Sequence, residues 1–270
     1  MTTAEWAQVY LDHGWAVVPL APRAKRTNAP GWKTIDFTAA DFSDPHANLG
    51  LRSIHGLVFV DLDCPEAVQM ADTFLPATPT IYGRPSKPRS KRIYRSPFQK
   101  IHAYKDKHSS TVLVEIRAEH QDMAPPSIHP DGEVLAWDGP DLGTPATVPA
   151  DDLTHAVKLL CTAAALGRHY NPEGARHDWC LAVAGMLRQR GLSETDATAV
   201  ITQAATWAND PKLDERLTEV QSTYAHADDQ PLTGARTLED LDHGSLTQTL
   251  TALWGVPANA SVYVLNQRNQ

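Results

Sequence analysis

LVFVDLDCPEA, residues Leu57 to Ala67, is the stretch on which the reading of the fold turns. Leu57–Leu62 is a continuous apolar run with β-branched and aromatic members, which predicts a buried central strand, and it carries its acids at the C-terminal end. Asp61 and Asp63 stand two apart. On an extended backbone their side chains point to the same face, so both carboxylates reach one metal centre. Magnesium or manganese held by a few carboxylates and by substrate phosphates is the usual arrangement for phosphoryl transfer. An isolated Asp-Leu-Asp also ends strands and opens turns with no such task, so its meaning depends on the residues around it.

Toward the N-terminus, Trp6, Val9 and Tyr10 give a short helical face before Gly14, and Trp15–Leu20 (WAVVPL) reads as a buried strand that stops at Pro22. The loop APRAKRTNAPGWK presents Lys25, Arg26 and Lys33 to a phosphate. Toward the C-terminus, Arg92–Arg95 (RIYR), Thr111–Arg117 (TVLVEIR) and Glu133–Trp137 (EVLAW) read as strands, and MAPPSIHPDGE between the last two fixes turns with its paired prolines and Asp131-Gly132. In TVLVEIR, Val112, Val114 and Ile116 share one side, while Glu115 lies on the other with Leu113. A carboxylate in mid-strand is solvated, paired with a cation such as Arg117, or bound to metal. With Asp61 and Asp63, Glu115 makes a three-carboxylate candidate. These first ~150 residues read as mixed α/β rather than as repeated βαβ units.

The remainder reads as helical. Leu153, Ala156, Val157, Leu160, Ala163 and Ala164 repeat at helical spacing up to Gly167, taken as a C-terminal cap. Trp179, Val183, Met186 and Leu187 mark a second helix. Ser193 with Asp196 resembles a capping box for a third, whose face uses Ala197, Val200, Ile201 and Ala204. Leu213, Leu217, Val220 and Tyr224 supply a fourth, and together they predict a small bundle. The expected domains are 1–149, mixed α/β; 150–245, helical; and 246–270, a tail with no assignable role.

Net charge of −8 and a pI near 5.8 would by themselves argue against a nucleic-acid partner. The distribution says otherwise. From Ala77 to Lys105 there is no Asp or Glu, yet eight of the 24 Lys and Arg residues fall there, Arg84, Lys87, Arg89, Lys91 and Arg92 among them, in what reads as a basic loop followed by a strand. Cys64, Cys161 and Cys180 contain no Cys-x-x-Cys pair, which argues against a disulfide framework and a cysteine zinc site, and no zinc is expected. No apolar run approaches the ~18 residues of a membrane span, and the N-terminus has no signal-peptide pattern, so no membrane association and a cytoplasmic location, in a bacterium or a phage-infected host, are expected.

GWAVVPLAPRAK…PGWK, then NLGLRS…LVFVDLD, then TPTIYGRPSKPRSKRIYR, then VEIR…MAPPSIHPDGE…W resembles, over residues 5 to 138, the bifunctional primase-polymerase domain of the archaeo-eukaryotic primase superfamily. The following GARHDWCLAVAGMLRQRGLSETDA…EVQSTY is similar to the helical domain found C-terminal to such cores in plasmid and phage primases. The resemblance implies an α+β fold: a mixed-sheet, RRM-like catalytic core followed by an all-α bundle. It implies that Asp61 and Asp63 form the first metal-binding motif for Mg2+ or Mn2+ and that Glu115 is the third carboxylate. Ser90 falls where the second motif begins; the family has a histidine there, and SKRIY places Lys91 at that position. Arg84, Lys87, Arg89, Lys91 and Arg92 would flank the metal and hold triphosphate or template backbone, with Lys25 a further candidate. Ser127 and His129, in PPSIHPDG, match a segment bordering the active site. Arg176 and His177, at the start of the second helix, are candidates for the initiating triphosphate.

The function so implied is primer synthesis on single-stranded DNA from deoxynucleotides or ribonucleotides, in replication of a phage, plasmid or other mobile element. The chain has no Gly-Lys pair and hence no Walker motor, so a separate or fused helicase is an expected partner. Two alternatives stand beside it. A nucleotide-sugar transferase explains the aspartates alone. A weakened replication factor that binds single-stranded DNA or nucleotides without polymerising them is raised by Lys91.

Overall fold

The structure is a computed structural model that describes residues 1–227, 232–242 and 244–256. It is α+β: among the described residues every strand lies before residue 148, with two α-helices in the same stretch, and the remainder is helical. Helix α1 (Thr3–Asp12) opens with a reciprocal capping box: Glu5 N donates to the Thr2 hydroxyl and Thr2 N to the Glu5 carboxylate. Strand β1 (Val17–Leu20) starts two residues later than WAVVPL suggests, because Trp15 stacks on Tyr10 with ring centroids 5.8 Å apart. β1 pairs antiparallel with β2 (Asn48–Arg52).

β3 (Leu57–Leu62) is the buried central strand that the apolar run predicts, and α2 (Pro65–Phe74) follows it. The segment read as a basic loop is instead largely a hairpin of β4 (Ile81–Arg84) and the nine-residue β5 (Lys87–Arg95). Its prolines hid it. Pro88 is tolerated because β3 pairs with β5 only from Lys91 onward, so no ladder hydrogen bond to β3 is lost at Pro88. After β6 (His102–Lys105), β7 (Val112–Arg117) and β8 (Gln121–Ala124), EVLAW forms only the short β9 (Ala136–Trp137) plus an isolated bridge between Ile128 and Val134. β10 (Ala146–Thr147) pairs parallel with β5.

The strands form a three-stranded sheet, β1-β2-β8, and a seven-stranded one, β6-β7-β3-β5-β4-β9 with β10 on β5. One apolar cluster joins them: Val18, Leu49 and Leu51 of the small sheet, Phe59 and Ile93 of the large one, and Ala7 and Tyr10 of α1. The Tyr10 hydroxyl donates to Pro125 O and accepts from the Trp137 indole, so a buried phenol is satisfied on both sides.

The helices are α3 (Ala150–Arg168), α4 (Arg176–Gln189), α5 (Glu194–Trp207), α6 (Leu213–Ala225), α7 (Ala235–Asp242) and α8 (Ser245–Trp254). Gly167 is not a cap, since α3 runs on to Arg168. A Cβ there would lie 3.1 Å from Trp207 and 3.2 Å from Met70, so glycine serves close packing. Residues 246–256, read as tail, contain most of α8, and 257–270 lie outside the described residues.

The chain divides into two compact units: Met1–Val68, Leu75–Ala103 and Val114–His155 in the first, and Gln69–Phe74, Tyr104–Leu113 and the chain from Ala156 in the second. No cut of the chain at a single point reproduces this division.

Candidate active site

Antiparallel pairing sets Asp61 of β3 opposite Glu115 of β7 on one side and Lys91 of β5 on the other, and Lys91 opposite Tyr82 of β4. Directly opposed residues share a face of the sheet. Glu115, Asp61, Lys91 and Tyr82 therefore form one row, on the face that also carries Phe59 and Ile93 into the core. Asp122 reaches the row from β8 of the small sheet.

Each carboxylate of the row is held by a cation. Lys91 Nζ lies 2.5 Å from Asp61 Oδ2 and 2.8 Å from Asp122 Oδ1. Arg117 Nη1 is 2.6 Å from the same Asp122 oxygen, and its Nε is 3.0 Å from Glu115 Oε2. Lys87 Nζ is 2.9 Å from Asp63 Oδ1 and 3.8 Å from Asp61 Oδ1. Burial alone would raise the Asp61 carboxyl, but Lys91, Lys87 and Arg117 more than offset this and hold it below its ordinary value. Glu115 moves the other way: burial and the neighbouring charges of Asp61, Asp63 and Asp122 raise it against the pull of Arg117.

A β-bulge shapes the row. The register of β4 against β5 shifts between Tyr82 and Arg84, and Arg89 sits at φ 52°. A Cβ on Gly83 would lie 2.5 Å from Lys87 O and 2.6 Å from Arg89 N, so only glycine permits so close a backbone approach. The consecutive residues Ser90 and Lys91 both line a cavity of about 220 Å3, which Asp61, Asp63, Arg117 and Asp122 also line.

Of the other candidates from the sequence, Lys25, Arg84, Lys87 and His129 line this cavity as well. Burial, with Lys25 and Arg84 nearby, lowers the His129 imidazole below its ordinary value and favours the neutral ring. Arg92 does not join them. Its cross-strand partners are Val60 and Ile81, which puts it on the opposite sheet face, where it is buried. Arg89 is also outside the cavity lining and pairs with Asp138. Ser127 Oγ accepts from Leu49 N and donates to Leu49 O, a clamp on β2 away from the cavity lining. Glu115 stands beside Asp61 in the row but does not line the cavity.

The basic segment is not an unneutralised face, since Arg84 also pairs, with Glu133. Lys25 and Arg26 differ: among the described residues neither side chain is in an ion pair, and both line the cavity. In the helical unit, Arg176 bonds Asp210 at 3.2 Å and His177 bonds Glu219 at 2.6 Å. Sequence reasoning missed Asp122, Gln121 and Tyr82. The only signal for Asp122 was an acid in a short run ending in Met123-Ala124; that it faces Asp61 depends on two sheets meeting.

Among the described residues no group of three acid, histidine or cysteine side chains is already arranged to enclose a metal. The donor set nevertheless fits a hard divalent ion. Asp61 Oδ1 and Asp122 Oδ2 are buried without a hydrogen-bond partner, and carboxylate oxygen is what Mg2+ and Mn2+ take.

Carboxylates on neighbouring strands backed by lysine and arginine, on an α+β core, are the equipment of proteins that handle phosphate esters. More narrowly, residues 7–151 match the model of the bifunctional DNA primase/polymerase N-terminal domain, and the chain belongs to that family. Membership makes it a primase-polymerase of nucleotidyltransferase type, with DNA and nucleotides as the substrates implied. The match stops where α3 begins, so the helices from α3 to α8 are not covered by it beyond the first residues of α3. No curated protein matches the chain. Among the described residues no helix is long and apolar enough to cross a membrane.

Proposed function

We propose that the chain synthesises primers on single-stranded DNA by metal-dependent nucleotidyl transfer, with Asp61, Asp63 and Glu115 as the metal-holding carboxylates. The observation that carries this reading is the cross-strand row in which Asp61 stands beside Glu115, within the matched domain and next to a cation-lined cavity. Mg2+ or Mn2+ held there would supply activation of the attacking hydroxyl and charge neutralisation on the leaving pyrophosphate. The chain's own cations bind and orient the incoming triphosphate. Lys25 and Arg26 are already unpaired, and Arg84 and Lys87 exchange a carboxylate for phosphate. His129, kept neutral, can donate one hydrogen bond to a phosphate oxygen.

Residues 1–149 are assigned to catalysis and 150–245 to initiation, where Arg176 and His177 are the candidates to hold the first nucleotide. Service to a mobile element, with a helicase partner, fits this assignment. The test is primer-independent synthesis with single-stranded DNA, labelled nucleotides and Mg2+ or Mn2+, beside an Asp61→Ala/Asp63→Ala variant. Product from the native chain alone is expected. Silence both with and without a supplied primer overturns the reading in favour of a factor that binds but does not polymerise, an alternative kept because Lys91 occupies Asp61 Oδ2.

A further inference from the structure

We infer that the Lys91 ammonium replaces one of the two cations of a paired metal site, so that this centre takes a single divalent ion. The inference rests on the reading of Asp61 and Asp63 as metal-holding residues. A carboxylate that bridges two ions offers one oxygen to each, and two-metal centres place the ions ~3.5–4 Å apart. At Asp61 those two oxygens are not equivalent. Oδ2 is bonded by Lys91 Nζ at 2.5 Å, whereas Oδ1 is buried with no hydrogen-bond partner.

The same ammonium also takes one oxygen of the neighbouring Asp122, on the side of Asp61 where a second ion would have to sit. Lys91 Nζ spans from Asp61 to Asp122 Oδ1 at 2.8 Å, which joins a carboxylate of the large sheet to one of the small sheet. The span is built in by the fold: cross-strand register places Lys91 directly against Asp61, and the Gly83 bulge brings Ser90 and Lys91 into the cavity lining. An ammonium has three donors, and two are engaged here, which leaves one for an anion such as a phosphate oxygen. It is a fixed cation that cannot leave with product. The oxygens left to a single divalent ion are Asp61 Oδ1 and Asp122 Oδ2, both without a hydrogen-bond partner, with the Glu115 carboxylate beside them and the Asp63 carboxylate once Lys87 releases it.

The test is a count of Mn2+ bound per full-length chain, read from the electron spin resonance of free Mn2+ during titration without nucleotide. Native protein and Lys91→Arg are expected to bind one ion, and Lys91→Met two. Circular dichroism shows whether Lys91→Met is folded; if it is not, the native count decides alone. Two ions in the native chain, or one in folded Lys91→Met, overturns the inference and leaves the metal reading intact. Binding unchanged in Asp61→Ala/Asp63→Ala, or no binding at all, overturns that reading and the inference with it.

Discussion

A single hydrogen atom decides the shape of the cavity at Gly83. Its neighbours within 3 Å of a built Cβ are backbone atoms of Lys87, Pro88 and Arg89, which cannot rotate away as a side-chain tip would. Gly83→Ala therefore has to push the bulge apart. It is expected to cost about 1–3 kcal/mol, as overpacking does, read as a lower midpoint in denaturant with an unchanged slope. Because Ser90 and Lys91 follow the bulge, the same variant is expected to bind Mn2+ more weakly than native protein. A variant as stable as native would show that the hairpin has slack there. At the same scale, charge pairing explains how four acids crowd one site. The carboxylates of Asp61, Asp63, Glu115 and Asp122 are offset by Lys87, Lys91 and Arg117, which spares them mutual repulsion.

At the scale of elements, the helices of the C-terminal half follow from their own sequence. Ser193 accepts from Asp196 N at 3.0 Å and so starts α5, and Ala197, Val200, Ile201 and Ala204 are fully buried along one stripe. Ser193→Ala is expected to lower stability by about 1 kcal/mol, the usual worth of such a cap, measured by thermal unfolding; no change would mean that packing alone sets the start of α5. α4 is anchored by Trp179, which is fully buried and meets Tyr170 edge-on at 4.7 Å. The β4–β5 hairpin follows a different logic, because its prolines and bulge read as loop until β3 supplies a partner for the half beyond Lys91.

At the scale of the whole molecule, segments distant in sequence complete each unit. Asp106 lies on Tyr104–Leu113, which belongs with the helices, and is fully buried. Burial would raise its carboxyl, but bonds from Ser109, His169 and His108 N outweigh this and bring it to about 2. A carboxyl lowered on folding stabilises the fold above its ordinary value of ~4 and loses that contribution as pH falls toward the folded value. Native protein is therefore expected to melt well above Asp106→Asn at neutral pH, with the gap closing between about pH 4 and pH 2. A gap constant across that window would show that the stabilisation does not come from the charge.

Asp61, Asp63 and Glu115 were legible as candidates because strand parity is a local property, and the helices were legible because 3.6-residue periodicity is local too. The α+β class and the family follow from the same information: ordered motifs with turns between them. Arg92 could not be separated from Lys91 by composition. Both are cations in one basic run, and only the register against Val60 and Asp61 sends the first to the far face and the second into the cavity. The pairing of Arg84, Lys87, Arg89 and Lys91 was likewise hidden, since their acids include Glu133, Asp63, Asp138 and Asp122. The sequence by itself determined which residue types the site has to work with and which strands and helices carry them. Only the tertiary structure decided which of them meet, because cross-strand register and the approach of a second sheet bring together residues that no spacing along the chain relates.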